Sequence, residues 1–392
     1  IISFNMEKYL ILLFITLFLS ANNVSPVSFP TLSGKIPILK EVDVLILGGS
    51  LSGVSAALSA KSLAADVLLV DDKGFLGEAL TSSLEAYSYT PDEDETGREL
   101  FAFLQKRKAI KEGMFQPEEL KIALEELCKE KDIPFLYWCR PVDVIIEKGR
   151  IKGVVFVSKG GLFLIKCKIL IDATPFGQAT APFLLSPLSL PYIESIGFIT
   201  LNEPVSSPPN SLLLWRNSPN GKEKLCRLLI LRNGSLSPYE LSNRAGELIE
   251  TITNLYHPLA TAPFTTIAPL RHPPTYSTLY LSDCFEGKKA RSPIAKGKGI
   301  VFFMHSKKGV MQRESKEVEV NKGFFISRQI KNLIFTYGDK LPLQPGVAWL
   351  ESLGISLKAG KMLGILSVLS IRKELPPSKI STKDLLKEVG EN

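Results

Sequence analysis

The sequence is poor in the residues that carry chemistry in pairs. It has 3 His and 5 Cys in 392 residues. A scaffold built on disulfides holds roughly 8–10% Cys or more, so that class is excluded. The cysteines stand at 128, 139, 167, 226 and 284, an odd number with no Cys-x-x-Cys pair. That removes a redox disulfide, and no His or Cys grouping has the spacing of a metal site. Cys128 falls on a helical pattern and Cys167 on a strand pattern, so both read as buried thiols. A full membrane-spanning run is missing too. A spanning helix needs about 20 apolar residues, whereas the uncharged stretch Tyr9–Ala21 has 13. Charge of one sign is weak, with a net +7. No aromatic residues interleave with basic ones in the way that stacks on bases, so nucleic acid is not an expected partner. Internal repeats are absent. What remains is ordinary globular composition, 45% apolar and 22% charged, which excludes disorder and collagen-like repetition.

The N-terminal stretch is the first positive feature. Tyr9–Ala21 has the length of the apolar region of a secretory signal, with small residues Ser20 and Ala21 at its exit. Residues 1–21 are expected to be a signal peptide and residues 22–40, with Pro26, Pro30, Gly34 and Pro37, a linker. The expectation is export, periplasmic or secreted; an uncleaved membrane anchor is the alternative. The mean hydropathy of +0.13 comes partly from this segment.

A nucleotide-binding pattern follows. Asp43–Leu47 is an apolar strand that runs into Gly48-Gly49-Ser50-Leu51-Ser52-Gly53. A helical stretch, Val54 to Lys61, leads to a second strand, Asp66–Val70, which ends at Asp71-Asp72. The step from Gly48 to Asp71 is close to the spacing of about 20 residues expected for a carboxylate on ribose hydroxyls. Gly48 permits the tight turn, Gly53 permits close helix–strand packing, and the helix N-terminus offers amides to a pyrophosphate. Ser50 replaces the glycine that lets the backbone approach the phosphates, although its hydroxyl can still serve a phosphate oxygen. Gly48, Gly49, Ser50 and Gly53 are therefore candidates for the pyrophosphate, and Asp71 and Asp72 for the ribose. A βαβ unit without a nucleotide is the alternative.

Asp43–Gly53, Val67–Asp71 and Gly74-Phe75-Leu76-Gly77 together resemble the start of an FAD-dependent oxidoreductase with the glutathione-reductase-like FAD fold, a group often exported in bacteria. Phe115–Leu120 opens an amphipathic helix to Lys131, with Leu120, Leu124 and Leu127 at helical spacing. Ile133–Tyr137 is a strand, and residues 141–171 alternate as three strands around Lys148-Gly149 and Lys159-Gly160-Gly161 turns. Asp172-Ala173-Thr174 follows, where the family has Asp-Ala-Thr-Gly. Asn332–Asp339 resembles the family's last FAD-domain strand, and Ala359–Gly364 the start of its closing helix.

The resemblance covers residues 41–175 and 330–390. It implies an α/β fold: a Rossmann-like FAD-binding domain from residues 41–175 and 326–392, with an inserted α+β substrate domain at 176–325. It implies FAD as cofactor and oxidation or reduction of a small organic substrate, the flavin carrying the hydride. Gly77, Ala173 and Thr174 would then line the cofactor, Gly338 and Asp339 would meet the ribityl chain, and Gly360 would begin the flavin-facing helix. Arg271 and His272 fall where relatives have an Arg-rich motif facing the flavin, which makes them the candidate catalytic pair. Several positions depart from the pattern. Glu78 stands where relatives commonly have a second glycine, Pro175 replaces the glycine after Asp-Ala-Thr, and Asp339 stands where several relatives have Arg. Proline fixes φ and removes an N–H, so a shifted backbone is expected at 175. These departures keep a second expectation open, a non-catalytic relative that has lost turnover or FAD binding. A nicotinamide-dependent dehydrogenase is a further rival, disfavoured by the closing helix and the β-meander.

The middle of the chain is less informative. Pro182–Pro209 is rich in Pro, Ser and Leu; residues 211–215, 226–231 and Thr275–Leu281 read as strands. Tyr239–Leu255 reads as a helix with Leu241, Ala245, Leu248 and Ile252 on one face. His257 and His305 read as solvated. Residues 288–322 hold ten Lys or Arg against three Glu. A solvated loop face is the favoured reading of that segment, and a patch for an acidic polymer or anionic membrane surface is the alternative.

Overall fold

Two parallel strands and the helix between them set the frame of this computed structural model. It describes residues 36–84, 95–111, 114–184, 192–204, 206–218, 221–232, 238–256, 258–261, 266–268, 274–305, 309–344 and 348–390. The signal-peptide expectation therefore lies outside the described residues, as does most of the linker. The linker's expected end at residue 40 is revised, because β1 (Ile38–Leu47) has begun by then. β1 pairs in parallel with β2 (Val67–Val70), Leu47 opposite Val70, and α1 (Leu51–Ser62) joins them. Val44–Leu47 and Val67–Val70 are buried throughout, the continuous apolar pattern of strands covered on both faces.

The chain then forms α2 (Glu95–Lys106) and α3 (Pro117–Glu130). Pro117 sits in the first turn of α3, where a missing N–H does no harm. Leu120, Ala123, Leu124, Leu127 and Cys128 form its buried face. β3 (Phe135–Leu136) adds to β2 in parallel. The expected meander follows as β4 (Arg140–Glu147), β5 (Arg150–Ser158) and β6 (Gly161–Asp172). Its last strand returns to the centre and pairs in parallel with β1, Leu47 opposite Asp172.

A second sheet is built from β7 (Tyr192–Thr200), β8 (Ser211–Asn217) and β9 (Lys224–Arg232), with short strands 260–261 and 266–268 on β7. β7 lies inside the Pro- and Ser-rich stretch where no strand was expected. α4 (Pro238–Tyr256) packs Leu248, Ile252 and Tyr256 against Ile196, Phe198, Cys226 and Leu228 of this sheet. Thr275–Leu281 does not form the expected strand. It makes isolated bridges at Thr275 and Tyr280 and then enters α5 (Leu281–Glu286), because the Asp283 carboxylate accepts the Tyr280 N–H at 2.7 Å and starts a helix there.

The next strands are β10 (Pro293–Gly297), β11 (Ile300–His305), β12 (Gly309–Glu314) and β13 (Val318–Asn321), then β14 (Leu333–Phe335), β15 (Lys340–Pro342) and β16 (Ala348–Glu351). β14 completes the central sheet on β6. β10 and β13 pair with each other, and the remaining four place a four-stranded sheet, β12-β11-β16-β15, across the boundary expected at residue 325. Residues 38–392 accordingly form one compact unit.

α6 (Leu353–Arg372) begins six residues before the expected helix start, where the Ser352 hydroxyl accepts the Ile355 N–H. Among the described residues it is the one helix long and apolar enough to cross a membrane, and it is largely buried against the core. Gly360 and Gly364 explain its close approach to α1: a Cβ on either would overlap the backbone of Ser52 or Ala56. α7 (Thr382–Val389) closes the chain.

Candidate functional site

Leu47, Val70, Asp172 and Phe335 are in register, so four parallel strands end together at one edge of the central sheet. In open α/β sheets ligands bind outside the carboxyl ends of the strands. The segments that leave this edge carry Gly48–Gly53, Asp71–Glu78, Ala173–Thr180 and Thr336–Asp339.

The glycine turn is tightly specified. Gly48 has φ +92°, and a Cβ there would come within 2.9 Å of Thr174. A Cβ on Gly49 would strike Leu76, and the Gly49 N–H donates to Asp71 Oδ2 at 2.7 Å. Ser50 makes use of its departure from glycine. Its hydroxyl accepts the Gly53 N–H at 3.2 Å and donates to the Ala173 carbonyl at 2.8 Å. It therefore caps α1, an effect of about 1 kcal/mol, and fastens the turn to the Asp-Ala-Thr segment. Ser52 extends the tie, its hydroxyl 2.8 Å from that of Thr336. The first-turn amides of α1 are the donors that a helix N-terminus offers an anion.

Asp172 organises the neighbouring loop. Its Oδ1 accepts the N–H and hydroxyl of Thr174 at 3.1 and 2.6 Å, and its Oδ2 those of Thr180 at 2.8 and 2.7 Å. Burial still raises its carboxyl above the usual range despite these four bonds. Directly after Pro175 the backbone is left-handed at two residues, Phe176 at φ 59° and Gly177 at φ 70°. Gly338 approaches this loop at φ +62°, with room for a Cβ only at 3.5 Å from Ala173 O and Pro175 N. Asp339 beside it is buried.

The acidic end of β2 holds a partly buried ionic cluster. Lys73 Nζ lies 2.7 Å from Asp72, 3.1 Å from Glu78 and 3.9 Å from Asp71. Asp71 Oδ1 also accepts the Lys73 N–H at 2.8 Å. The Gly77 N–H donates to the Gly49 carbonyl at 2.8 Å, which draws the Gly77-Glu78 step against the glycine turn. Glu78 is 3% exposed, and its Oε1 has no hydrogen-bond partner. Burial pushes its carboxyl well above the usual range against the pull of Lys73, and Asp71 and Asp72 push the same way. Lys73 stays protonated because three carboxylates surround it, outweighing its burial.

The structure thus brings Gly48, Gly49, Ser50, Gly53, Asp71, Asp72, Gly77, Ala173, Thr174, Gly338 and Asp339 to one sheet edge. Gly360 does not begin a helix there; it lies inside α6, against Ser52 of α1. Arg271 and His272 lie outside the described residues, as does His257. Sequence reasoning missed Lys73, although it stands two residues after Asp71, and it noted Glu78 only as a departure. It also missed a second buried cluster. Glu351 accepts from Arg227 at 2.8 and 2.7 Å, from Lys340 at 2.8 Å and from Trp349 Nε1 at 2.7 Å.

Other candidate chemistry is quieter. All five cysteines are buried and unbridged, and burial pushes the thiols of Cys128, Cys167, Cys226 and Cys284 up to about 12. No group of His, Cys, Asp or Glu among the described residues is placed to hold a metal ion. The basic stretch 288–322 is partly committed to local roles. Lys288 pairs with Asp283, Lys289 with Glu319, and Lys322 donates to the Ser378 carbonyl at 3.0 Å.

Residues 43–181 match the model of a family described as FAD dependent oxidoreductase. No curated protein sequence matches the chain. Solved structures similar to it include a flavoprotein/dehydrogenase from Cytophaga hutchinsonii, at 13% identity and TM-score 0.46, covering 89% of this chain and 84% of that one. A geranylgeranyl bacteriochlorophyll reductase-like protein from Thermoplasma acidophilum is 14% identical with TM-score 0.47, covering 90% and 84%. L-proline dehydrogenase from P. horikoshii is 13% identical with TM-score 0.42, covering 91% and 100%. The matched segment holds the glycine turn, the acidic end of β2 and the Asp-Ala-Thr loop, and FAD is the cofactor that the family's description names. The geometry fits: a cradle at Gly48 and Gly49 that a Cβ would fill, a capped helix N-terminus above it, and a half-buried cation, Lys73, beside it.

Proposed function

We propose that the protein is an FAD-dependent oxidoreductase acting on a small organic substrate. The observation that carries the reading is the shared edge of β1, β2, β6 and β14, where the glycine turn, the acidic end of β2 and the Asp-Ala-Thr loop are stapled together by Ser50 and Asp172. Gly48, Gly49 and the first turn of α1 would hold the diphosphate, Asp71 the adenosine ribose, and Gly338 with Asp339 the ribityl chain. When bound, FAD supplies the hydride chemistry, and the protein supplies binding, orientation and electrostatics. Asp172 keeps the 174–180 loop in one arrangement, and Ser52 with Thr336 fixes the spacing between the first and last of the four segments.

Purification of residues 22–392, followed by a visible spectrum and a mass of the released cofactor, tests the reading. Flavin absorbance and the mass of FAD are expected. Protein that stays colourless after incubation with excess FAD would overturn it. One observation favours a second reading, a relative that binds FAD without turnover: the Leu76 side chain crowds Gly49 of the glycine turn. That reading requires bound FAD that dithionite reduces but no small-molecule donor does.

A further inference from the structure

An outer strand of the central sheet ends on an aromatic residue that the fold leaves in solvent. β3 lies parallel to β2, Leu136 opposite Val70, so its carboxyl end reaches the same sheet edge. Two residues further stands Trp138, at φ +56° and 55% exposed. A bulky residue in the left-handed region is an outlier, and such outliers point to function. The other two tryptophans have neighbours on their rings. Trp349 is buried and stacked on Phe302, and Trp215 has Lys224 over its ring at 5.1 Å.

The indole of Trp138 has a built seat. The Trp138 N–H donates to the Lys73 carbonyl and the Cys139 N–H to the Asp71 carbonyl, both at 3.1 Å. The ring lies against Gly74, where a Cβ would come within 2.5 Å of Trp138 Cζ2. Gly74 is not left-handed, so its backbone does not demand glycine. What excludes a side chain at 74 is the indole.

We propose that Trp138 is the stacking platform for the adenine of FAD. The proposal rests on the FAD reading above and deepens it. The sheet order carries it. β1, β2 and β3 are successive neighbours, and Gly48–Gly53, Asp71 and Trp138 follow their carboxyl ends in turn. In FAD the diphosphate, the adenosine ribose and the adenine are joined in the same order. With the diphosphate on the glycine turn and the ribose on Asp71, the base extends along the edge toward β3 and meets the indole. Asp71 ties the three segments together: its side chain accepts the Gly49 N–H and its carbonyl the Cys139 N–H. Charge agrees. Asp71, Asp72 and Glu78 outnumber Lys73 at this end of the edge. Adenosine brings hydroxyl and amine donors and no charge, so this balance suits it where it would oppose a phosphate.

The experiment is FAD binding to the full chain by flavin fluorescence, for the wild type, Trp138→Leu, Trp138→Phe and Gly74→Ala. Stacking of a base on an aromatic side chain is worth roughly 5–150-fold in affinity. Trp138→Leu keeps an apolar cover without a π-face and should raise the Kd of FAD at least about fivefold, whereas Trp138→Phe should stay within about threefold of the wild type. Gly74→Ala pushes the ring off its seat and should weaken FAD binding with Trp138 intact. Labelling of the wild type with 2-hydroxy-5-nitrobenzyl bromide, which alkylates exposed indoles, gives a readout without a variant. Saturating FAD should slow the labelling of Trp138, followed by peptide mass. Equal affinity of Trp138→Leu and the wild type, equal losses in the Leu and Phe variants, or a Trp138 that bound FAD does not protect overturns the proposal and leaves the FAD reading standing. If the Leu variant does not fold, the protection measurement decides. Absence of FAD binding to the wild type removes both.

Discussion

Two ionic clusters in this fold, one buried and one partly so, differ in how far they are finished. Around Glu351 one carboxylate receives four charge-assisted or indole hydrogen bonds, and the Arg227 guanidinium also donates to Ser195 Oγ at 2.8 Å and covers the Phe302 ring. Around Lys73 one cation serves three carboxylates, and Glu78 keeps an unpartnered oxygen. The first cluster joins β9 of the second sheet to β15 and β16 of the four-stranded sheet. The second stands at the sheet edge where a cofactor would bind. A completed network fixes two sheets in one arrangement. An incomplete one is tolerable where a ligand can complete it.

The comparison can be broken by removing a member of each. Glu351→Ala would leave Arg227 and Lys340 as buried, uncompensated charges. A loss of about 3–5 kcal/mol is expected, read from urea unfolding. Burial raises the Glu351 carboxyl, but Arg227 and Lys340 overcome it and take it down to about 2. A depressed acid stabilises the fold above its unfolded value and ceases to as pH falls through its folded one. Wild-type stability should therefore drop between about pH 4.5 and pH 2, and the Glu351 contribution with it. Gly48→Ala tests the cradle side. The left-handed backbone and the contact with Thr174 predict a loss of about 1–3 kcal/mol, together with weaker FAD binding by fluorescence titration. An unchanged FAD affinity would detach the turn from the cofactor. Ser50→Ala removes the cap and the bond to Ala173, for about 1 kcal/mol, measured by thermal melting. Glu78→Gln should change stability least at pH 6. Because the folded carboxyl is raised, the wild type loses stability as pH rises through it. The variant should therefore become the more stable protein at alkaline pH, in the opposite direction to Glu351.

The parts legible in the sequence are those whose signals are local. The β1–α1–β2 unit and the meander announce themselves through continuous apolar runs, glycine turns and a change of period within 30 residues or so. Glycine misled where its cause was distant. Gly360 and Gly364 read as the opening of a helix, yet they lie inside one because α1 packs against them. β7 was hidden because its neighbours are rich in proline, and its strand character comes from pairing with β9 and Gly197 lying against Ser83 and Leu84. The Glu351 network could not be read at all. Arg227 and Glu351 are 124 residues apart, and nothing in either neighbourhood marks the other.

The contact between α1 and α6 has a consequence for how the protein is made. Ser55 of α1 donates to Leu357 of α6 across 302 residues, and Ser52 meets Thr336 across 284. At roughly 5–20 residues per second on the ribosome, the small-residue face of α1 waits about 15–60 s for its partner. Contacts of such separation form late and slowly. The nucleotide cradle is therefore completed only after α6, some 302 residues beyond Ser55, has been synthesised. An ancillary holding factor would have its window of use on the nascent chain, before α6 emerges.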